Sequence, residues 1–410
     1  MALAKTAYCD PAKEGFDVSK QTIVTLPGDG IGKVVLSEAL RVLDAAGFEA
    51  DYVHGDIGWE FWIQEGNALP ARTIDLLAEH KLALFGAITS KPKDQAAAEL
   101  SPESRDKGYV YYSPIVGLRQ HFNLDVCIRP CRSFAGNPLN FIRRDGDGFV
   151  EPLVNAVIFR QNTEGLYGGV EWTDPPAQVR AALETHPKMA SFKDVPSEDL
   201  AISTRIFSRN ACRRICRTAF EYAKKFGYKS VTICEKPNVI RETSGMLTAE
   251  GKAVAKDFPG IALWETNIDA QMMWLTKNPE DYGVLVAGNM FGDIVSDGFA
   301  GLVGGLGFAC SANIGDAVAV FEPTHGSAPK YEKLDPPIVN PIAMVLSACM
   351  MLDHIGESER ATRIRDAIAA VIAQGKVRVY DMLKLKGGPD VVNQGAATTT
   401  QMADAIIERL

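Results

Sequence analysis

The sequence has few cysteines, no long apolar run and no excess of positive charge. Eight cysteines in 410 residues are too few for a disulfide scaffold, so we expect reduced thiols and a cytoplasmic location. No stretch approaches the roughly 20 uninterrupted apolar residues that a membrane span needs. Residues 1–20 also lack the apolar segment of a secretory signal. These absences argue against a membrane protein and against a disulfide-stabilised secreted domain.

Positive charge is in deficit, since 43 Lys and Arg stand against 51 Asp and Glu and give a net charge of −8. This balance argues against nucleic acid as the main partner, but it allows a local basic pocket for an anionic metabolite. Apolar residues make up 46% and charged residues 23%, as in ordinary soluble globular proteins. At this length, two domains are expected.

The cysteines do not form a recognisable zinc site. Cys127 and Cys131 are spaced as C-x3-C, and so are Cys212 and Cys216. Neither pair has a nearby histidine or second cysteine pair to complete four ligands. We therefore expect these thiols to pack in the interior.

Short apolar runs alternate with amphipathic segments along the chain, which predicts an α/β protein. Thr22–Pro27 has the pattern of a buried strand, which leads into Gly28–Gly32 and a helix over about Lys33–Ala46. The other predicted strands are Leu82–Phe85, Ala156–Phe159, Ser230–Cys234, Ala262–Glu265, Val284–Ala287 and Val318–Phe321, and the clearest helices are Ser208–Phe226, Pro341–His354 and Ala361–Gln374. Gly168–Pro196 has little periodicity and indicates a loop or an oligomerisation arm.

The glycine loop Gly28–Gly32 is similar to a dinucleotide-binding fingerprint but fails its spacing. The G-x-G-x-x-G pattern requires glycine at position 33, where this chain has Lys33. Asp51 lies at about the right distance for the acidic residue of that pattern, but most sequences would offer one there. A tight turn in which glycine allows close packing of helix and strand is the better interpretation. A standard Rossmann fold is therefore not predicted.

Three arginines, Arg119, Arg129 and Arg160, lie in or beside apolar strand-like segments. Their charges are costly there unless they are paired. A guanidinium binds a carboxylate through two parallel hydrogen bonds, so the cluster suits a di- or tricarboxylate substrate. Structural ion pairs with the Asp and Glu residues of this acidic chain are the alternative.

Asp293 and Asp297 are spaced i and i+4, so a helix would place both carboxylates on one face. Like charges at that spacing repel each other unless a positive group lies between them. A divalent cation would relieve the repulsion, and oxygen ligands favour Mg²⁺ or Mn²⁺ over zinc. A solvated acidic helix face is the alternative, which apolar neighbours such as Val295 and Phe299 disfavour.

Taken in order along nearly the whole chain, these segments resemble the isocitrate and isopropylmalate dehydrogenase family of β-decarboxylating dehydrogenases. The motifs that carry the resemblance are LPGDGIG at Leu26–Gly32, LRQ…CIRP at Leu118–Pro130, FRQNTEGLYGG at Phe159–Gly169, EKPNVIRETSG at Glu235–Gly245, NID at Asn267–Asp269, GNMFGDIVSD at Gly288–Asp297, EPTHGSAPKY at Glu322–Tyr331 and NP at Asn340–Pro341. The resemblance implies an isopropylmalate dehydrogenase-like α/β fold with two domains, a central cleft and a clasp segment. A large domain would comprise residues 1–124 and 304–410, and a small domain 125–303. The clasp, 165–208, would join two subunits of a homodimer.

The resemblance also implies roles in binding and catalysis. The three arginines would bind the two malate carboxylates. Asp293 and Asp297 would hold Mg²⁺ or Mn²⁺ together with Asp269 of the neighbouring subunit. Lys236, also from the neighbouring subunit, would help remove the hydroxyl proton, and Tyr167 would protonate the enol carbon after CO₂ leaves. A positive field that makes the phenolate accessible would suit Tyr167 for this role.

The loop after HGSAP separates NADP users from NAD users of the family. The residues implied at the cofactor site are His325, Gly326, Lys330, Tyr331, Asn340, Tyr380 and Lys384. NAD users commonly have an Asp directly after the motif, whereas this chain has Lys330, which suits a 2′-phosphate. Lys384 stands where the NADP form has an arginine, and it keeps the charge without the bidentate fork. NADP is therefore predicted, with NAD as the alternative.

The group on C3 of the malate decides the substrate. Isocitrate enzymes of the family show S-x-N-x-x-x-R, and this chain has Ser113 and Arg119 but Ile115 in place of the asparagine. Isocitrate is the leading substrate, because Ser113 and the NADP-like loop favour it. An isopropylmalate-type malate, or another 3-substituted malate such as one bearing a phosphonate, is the alternative. A regulatory subunit without activity is a third hypothesis, which the retained Tyr167 and Lys236 disfavour.

Overall fold

The computed structural model describes residues 20–410, so the segment 1–19, in which a secretory signal was sought, lies outside the described residues. The strands are β1 (Gln21–Gly28), β2 (Ala50–His54), β3 (Leu82–Ala87), β4 (Val126–Arg132), β5 (Arg143–Asp145), β6 (Gly148–Val150), β7 (Asn155–Gln161), β8 (Glu171–Thr173), β9 (Ala201–Ser203), β10 (Ser230–Glu235), β11 (Ala262–Asn267), β12 (Val284–Ala287), β13 (Cys310–Ile314) and β14 (Ala319–Pro323). The helices are α1 (Gly32–Ala45), α2 (Trp59–Glu65), α3 (Ala71–His80), α4 (Lys93–Ala98), α5 (Pro114–His121), α6 (Ala177–Glu184), α7 (Arg209–Phe226), α8 (Arg241–Ala255), α9 (Ile268–Lys277), α10 (Asn289–Leu302), α11 (Ile342–His354), α12 (Ser358–Gln374) and α13 (Thr399–Ile407).

A ten-stranded sheet forms the centre of the molecule, in the order β11-β10-β12-β7-β4-β13-β14-β3-β1-β2. Neighbouring strands are parallel except near the middle, where β4 is antiparallel to β7 and β13 is antiparallel to both β4 and β14. Helices cover both faces, which is why the inner strands are continuous apolar runs. In β7, for example, Phe159 packs into one apolar cluster and its neighbour Ile158 into another on the opposite face.

The strands and helices predicted from the sequence are present, with ends that differ by no more than three residues. The α/β fold class is confirmed, and the continuous sheet agrees with the family fold rather than with a standard Rossmann unit. Strands β1 to β3, β13 and β14 occupy one side of the sheet, while β4, β7 and β10 to β12 occupy the other. The division into 1–124 with 304–410, and 125–303, stays a prediction.

The glycine loop serves close packing. Gly28 has φ of 66°, and a Cβ atom there would lie 2.0 Å from the backbone oxygen of Ala87. A Cβ on Gly32 would lie 2.4 Å from the backbone nitrogen of Ala87. The loop therefore closes against the end of β3, and side chains at these positions would push α1 away from the sheet. This agrees with the prediction that Gly28–Gly32 forms a tight turn for close packing of helix and strand and not a dinucleotide-binding fingerprint.

The segment Gly168–Pro196 leaves the main sheet and contains short elements of its own. Helix α6 lies within it, and β8 pairs with β9 in a separate two-stranded antiparallel sheet. The segment is thus an arm rather than an unstructured loop. Its pairing with a second subunit stays a prediction.

No helix within residues 20–410 is long and apolar enough to cross a membrane. The seven cysteines in this range are buried and form no disulfide. Cys127 and Cys131 lie on β4, and Cys212 and Cys216 on α7, where each packs into an apolar cluster or against the sheet.

Candidate active site

Arg129 and Arg160 lie together at the middle of the sheet. On the antiparallel strands β4 and β7, Arg160 stands opposite Cys127, two residues before Arg129. Because side chains alternate along a strand, Cys127 and Arg129 share a face, and Arg160 lies on it too. The two arginines are only 8% and 3% exposed, so their charges require partners.

Asp293, near the start of α10, is the partner that both arginines share. Nη1 of Arg129 donates to Oδ1 of Asp293 at 3.0 Å, and Nη1 of Arg160 donates to the same oxygen. Nη1 of Arg129 also lies 3.4 Å from Oδ1 of Asp297. A guanidinium thus lies beside both aspartates. The predicted metal and substrate roles of these residues stay predictions.

Burial sets the electrostatics of the cluster. It lowers the pKa of Arg160 to about 10, with the neighbouring charge of Arg129 acting in the same direction. Burial also raises the pKa of Asp297, although Arg129 and Arg160 oppose this effect. The carboxylate of Asp293 thus occupies Nη1 of both arginines, a donor that a substrate carboxylate would use. Such a site can exchange one anionic partner for another without leaving a buried charge unpaired.

The donors on α10 fit a hard divalent cation in part. Asp293 and Asp297 offer carboxylate oxygens, which Mg²⁺ and Mn²⁺ prefer, and the side chain of Asp297 is 60% exposed. However, no three or more His, Cys, Asp or Glu side chains within residues 20–410 form a group that could hold a metal. Asp293 and Asp297 would therefore hold a divalent cation together with further oxygen ligands from substrate, water or a second copy.

Tyr167 lies against the same carboxylate. Its hydroxyl donates to Oδ2 of Asp293 at 3.4 Å, and the guanidinium carbon of Arg160 is 5.6 Å from its ring centre. Burial raises the pKa of Tyr167, and the charge of Asp293 raises it further, while Arg160 opposes this. Burial and Asp293 thus outweigh Arg160, and the expectation that the positive field of a bound metal and the arginines makes the phenolate accessible stays a prediction. The phenol is protonated at neutral pH, which is the form that donates a proton.

Lys236 and Asp269 lie apart from this cluster and pair with each other. Lys236 follows β10 and Asp269 opens α9 directly after β11, and these parallel strands pair Glu235 with Asn267. Nζ of Lys236 donates to Oδ1 of Asp269, whose side chain is 67% exposed. Within residues 20–410, no hydrogen bond or ion pair joins this pair to Asp293 or to the arginines.

Arg119 has a different partner from the other two arginines. From α5, its Nη2 donates to Oε1 of Glu322 at 3.0 Å and its Nε to Oδ1 of Asn313 at 3.2 Å. Its charge still contributes to lowering the pKa of Arg160. At the other end of α5, Ser113 is the N-cap residue without a side-chain capping bond, and the half-buried Ile115 packs against an apolar cluster.

The loop after β14 meets the segment around residue 380, as a shared cofactor site requires. The rings of Tyr331 and Tyr380 are 5.6 Å apart, and Nζ of Lys330 lies 4.7 Å from the centre of the Tyr331 ring. Asn340 donates from Nδ2 to Oδ2 of Asp381 at 3.1 Å, which ties it to the same segment. Lys384 is exposed and has φ of 55°.

His325 has one ring nitrogen available for a ligand. Its Nδ1 lies 3.1 Å from the carbonyl oxygen of Gly326. Burial lowers the pKa of His325, so the ring is neutral near pH 7. Among the residues that the structure describes, its buried Nε2 has no hydrogen-bond partner. The loop therefore contains a buried polar atom that a bound molecule could satisfy.

The family model for isocitrate/isopropylmalate dehydrogenase matches residues 22–406. The chain belongs to this family. Protein DlpA of Legionella pneumophila is 39% identical over 388 residues, which cover 94% of this chain and 58% of DlpA. The 3-isopropylmalate dehydrogenase of Methanothermobacter thermautotrophicus is 35% identical over 355 residues, 87% of this chain and 92% of that protein. The crystal structure of isocitrate dehydrogenase from Methylococcus capsulatus has a TM-score of 0.78 and 34% identity, covering 95% of this chain and 99% of that one.

The chain is thus a member of a family of decarboxylating dehydrogenases, and this family uses a nicotinamide cofactor and Mg²⁺ or Mn²⁺. A small carboxylate is the type of substrate that the family takes. The relatives are named for different malates, so membership does not decide the group on C3. The chain spans 58% of the length of DlpA, and nothing about the rest of DlpA carries over to it.

The structure adds residues that sequence reasoning did not single out, namely Asn289, Ser296, Asn313 and Glu322. Asn289 accepts from Nε of Arg160 at 2.9 Å, and Ser296 accepts from Nη1 of Arg129 at 2.8 Å. Both lie inside GNMFGDIVSD, and Glu322 opens EPTHGSAPKY, so these motifs were a signal for three of the four. Asn313 lies outside every motif, and no feature of the sequence pointed to it.

Proposed function

We propose that this protein oxidises and decarboxylates isocitrate to 2-oxoglutarate and CO₂, with reduction of NADP. The observation that carries the proposal is the cluster of Arg129, Arg160 and Asp293 with Tyr167 against it. Two guanidiniums suited to a carboxylate, a carboxylate suited to a metal, and a protonated phenol meet at one point. These are the groups that decarboxylation of a β-keto acid needs.

The side chains divide the work between holding the substrate and moving protons. Arg129 and Arg160 would bind substrate carboxylates in place of Asp293. Asp293 would then bind Mg²⁺ or Mn²⁺ together with Asp297 and with Asp269 of a second copy. The metal supplies Lewis-acid stabilisation of the developing enolate. Tyr167 would then deliver its hydroxyl proton to the enol carbon.

The proposed function includes a homodimer, which the pairing of Lys236 with Asp269 supports. Lys236, directly after β10, pairs with Asp269 on α9, and within residues 20–410 neither makes a hydrogen bond or ion pair with the arginine cluster. In a dimer, Lys236 would enter the neighbouring site and help take the proton from the substrate hydroxyl. The two-stranded sheet of β8 and β9 supports this arrangement, because it is separate from the main sheet and belongs to the segment that the resemblance assigns to the clasp.

Ser113 and Lys330 support isocitrate and NADP, while Ile115 is the feature that favours another malate. Ser113 at the start of α5 offers a hydroxyl to a third carboxylate, and its side chain makes no capping bond. Lys330 places a positive charge where a 2′-phosphate would lie. Ile115 gives the C3 pocket an apolar contact, so a malate with an apolar or otherwise different C3 group, used with NAD, is the second candidate.

The test is a cofactor-reduction assay of the purified protein with Mn²⁺, using isocitrate or isopropylmalate, each with NADP⁺ and with NAD⁺. We expect fast reduction with isocitrate and NADP⁺. Reduction with isopropylmalate and NAD⁺ alone would establish the second candidate. No reduction with any malate, although the protein binds one tightly, would point to a regulatory subunit.

A further inference from the structure

We propose that Asn313 and Glu322 are positioning residues that hold Arg119 in the orientation in which it receives a substrate carboxylate. This inference rests on the proposed function, because it takes Arg119 as a carboxylate-binding residue. It goes beyond that function by assigning a role to two residues that touch only Arg119 and its surroundings.

The contacts of Arg119 occupy one edge of its guanidinium. Nε donates to Oδ1 of Asn313 at 3.2 Å, and Nη2 donates to Oε1 of Glu322 at 3.0 Å. Nε and Nη2 form the side-on edge of the planar group, and within residues 20–410 Nη1 makes no hydrogen bond. A carboxylate can bind there through the two Nη atoms while the side-on edge stays fixed. The protein contacts therefore hold the arginine without filling its ligand-binding end.

The amide of Asn313 can take only one orientation. Its Oδ1 accepts from Arg119 and from Nδ2 of Asn162, the latter at 2.8 Å, and its Nδ2 donates to Oε1 of Glu322 at 2.8 Å. A flipped amide would point its NH₂ group at two other donors and its oxygen at a carboxylate. Asn313 is fully buried and Asn162 and Glu322 are nearly so, which makes such unpaired groups costly. The four side chains form one buried network with a single arrangement.

The network also spans elements that are far apart in the chain. Asn162 follows β7, two residues after Arg160, while Asn313 and Glu322 lie on β13 and β14. Arg119 is therefore fixed with respect to the strand that carries Arg160. Two arginines that have to bind one substrate at the same time need this relation, because small errors in placement weaken bidentate contacts.

Without the contacts to Asn313 and Glu322, the substrate itself would have to fix the orientation of Arg119. The free energy needed to order the side chain would weaken substrate binding, whereas cofactor affinity and the chemical step would change little. Because Glu322 lies three residues before His325, a merely structural disturbance of the β13–β14 hairpin would also weaken cofactor binding. A positioning role and a merely structural role of these residues thus predict different changes in KM for NADP⁺.

The experiment compares wild type, Asn313→Leu and Glu322→Gln, each alone and combined with Arg119→Lys. Titration calorimetry measures the Kd of D-malate, the unsubstituted core of the proposed substrates, in the presence of Mg²⁺. Steady-state assays give KM for isocitrate and for NADP⁺, and kcat. Asn313→Leu removes all hydrogen bonds of the amide, including those to Arg119, Asn162 and Glu322, at similar volume. Glu322→Gln keeps the acceptor but removes the charge, so the second variant carries the test if the first does not fold.

We expect Asn313→Leu to raise Kd for D-malate and KM for isocitrate by about tenfold or more, as for a lost hydrogen bond to a charged group. Glu322→Gln should have a smaller effect in the same direction, and KM for NADP⁺ should change less than about twofold. In proteins that already carry Arg119→Lys, neither Asn313→Leu nor Glu322→Gln should raise Kd or KM much further, because lysine lacks the side-on edge that these two residues contact.

Three results would overturn the inference. They are an unchanged Kd for D-malate in the single variants, an equal rise in KM for NADP⁺, and full additivity with Arg119→Lys. Wild type that binds no D-malate would overturn it as well. Wild type that binds D-malate but reduces no cofactor would contradict the proposed function alone, since the calorimetric comparison still decides the role of Asn313 and Glu322.

Discussion

The hydroxyl of Tyr167 lies 3.4 Å from Oδ2 of Asp293, whose other oxygen accepts from Arg129 and Arg160. One carboxylate thus connects the proposed proton donor with the proposed substrate-binding arginines. A change in the partners of Asp293, such as coordination of a cation, would reach Tyr167 and both guanidiniums at once. The site is therefore best tested by variants that remove one of these groups and leave the others in place.

Tyr167→Phe should lower kcat by about 100-fold or more, in the range that positioned acid catalysis contributes. KM for isocitrate should change little, because the arginines and aspartates remain. Steady-state kinetics with Mn²⁺ would measure both parameters. Tyr282→Phe, which removes a hydroxyl from a tyrosine packed against Trp264 and Phe299, is the matched control. Equal effects of the two variants would assign Tyr167 a structural role only.

Ile115→Asn should raise the preference for isocitrate over isopropylmalate. The amide offers a hydrogen bond to a third carboxylate and penalises an isopropyl group, and we expect a change of about tenfold or more in the ratio of the two kcat/KM values. Val116→Asn adds the same amide one residue along α5 and controls for a general loss of packing. A ratio that is unchanged in both variants would mean that the C3 group does not meet α5.

The elements of the fold were predictable because each strand is a local apolar run. The pairing of the strands was not predictable, because it joins residues that are far apart in the chain. Cys127 on β4, for example, pairs with Arg160 on one side and with Asn313 on the other. The same limit applies to the site. Asp293 and Asp297 are recognisable from their spacing alone, but the bond from Arg119 to Asn313 joins residues 194 positions apart and depends on the tertiary fold.

Lys330→Asp should shift cofactor preference from NADP toward NAD. An aspartate repels the 2′-phosphate and can bind the ribose hydroxyls, so the ratio of kcat/KM for NADP⁺ to that for NAD⁺ should fall by about tenfold or more. Lys333→Asp makes the same charge change at an exposed position in the same loop. If Lys330→Asp leaves the ratio where it is, or Lys333→Asp lowers it as much, the assignment of Lys330 to the phosphate is wrong.

Mixing two inactive variants tests whether active sites are shared between copies. Asp269→Asn and Asp293→Asn should each lose nearly all activity as pure proteins. Random co-assembly makes half of the dimers hybrid, and one of the two sites in each hybrid is intact, so about a quarter of wild-type activity should return. The control is a mixture of Asp293→Asn with Asp297→Asn, in which every site lacks one carboxylate of α10. Recovery in the control, or none in the first mixture, would contradict the shared site.

Asp125 makes a contribution to the free energy of unfolding that falls as pH rises. It is only 4% exposed, and burial raises its pKa from 3.8 to about 6, although Arg214 opposes this. The folded state therefore binds the proton more tightly than the unfolded state. The contribution of Asp125 to the free energy of unfolding is lost as pH increases through the interval between the unfolded and folded pKa values.

Asp125→Asn removes this titration, because asparagine resembles the protonated acid. The stability of the variant relative to wild type should increase by about 3 kcal/mol between about pH 4 and pH 7, which is the rise in the pKa of Asp125 from 3.8 to about 6 multiplied by about 1.36 kcal/mol for each pH unit. Denaturant unfolding of both proteins at several pH values would measure the difference. A difference that stays constant over this range would show that Asp125 ionises alike in the folded and unfolded chains, so that Arg214 and the surrounding polar groups fully offset its burial.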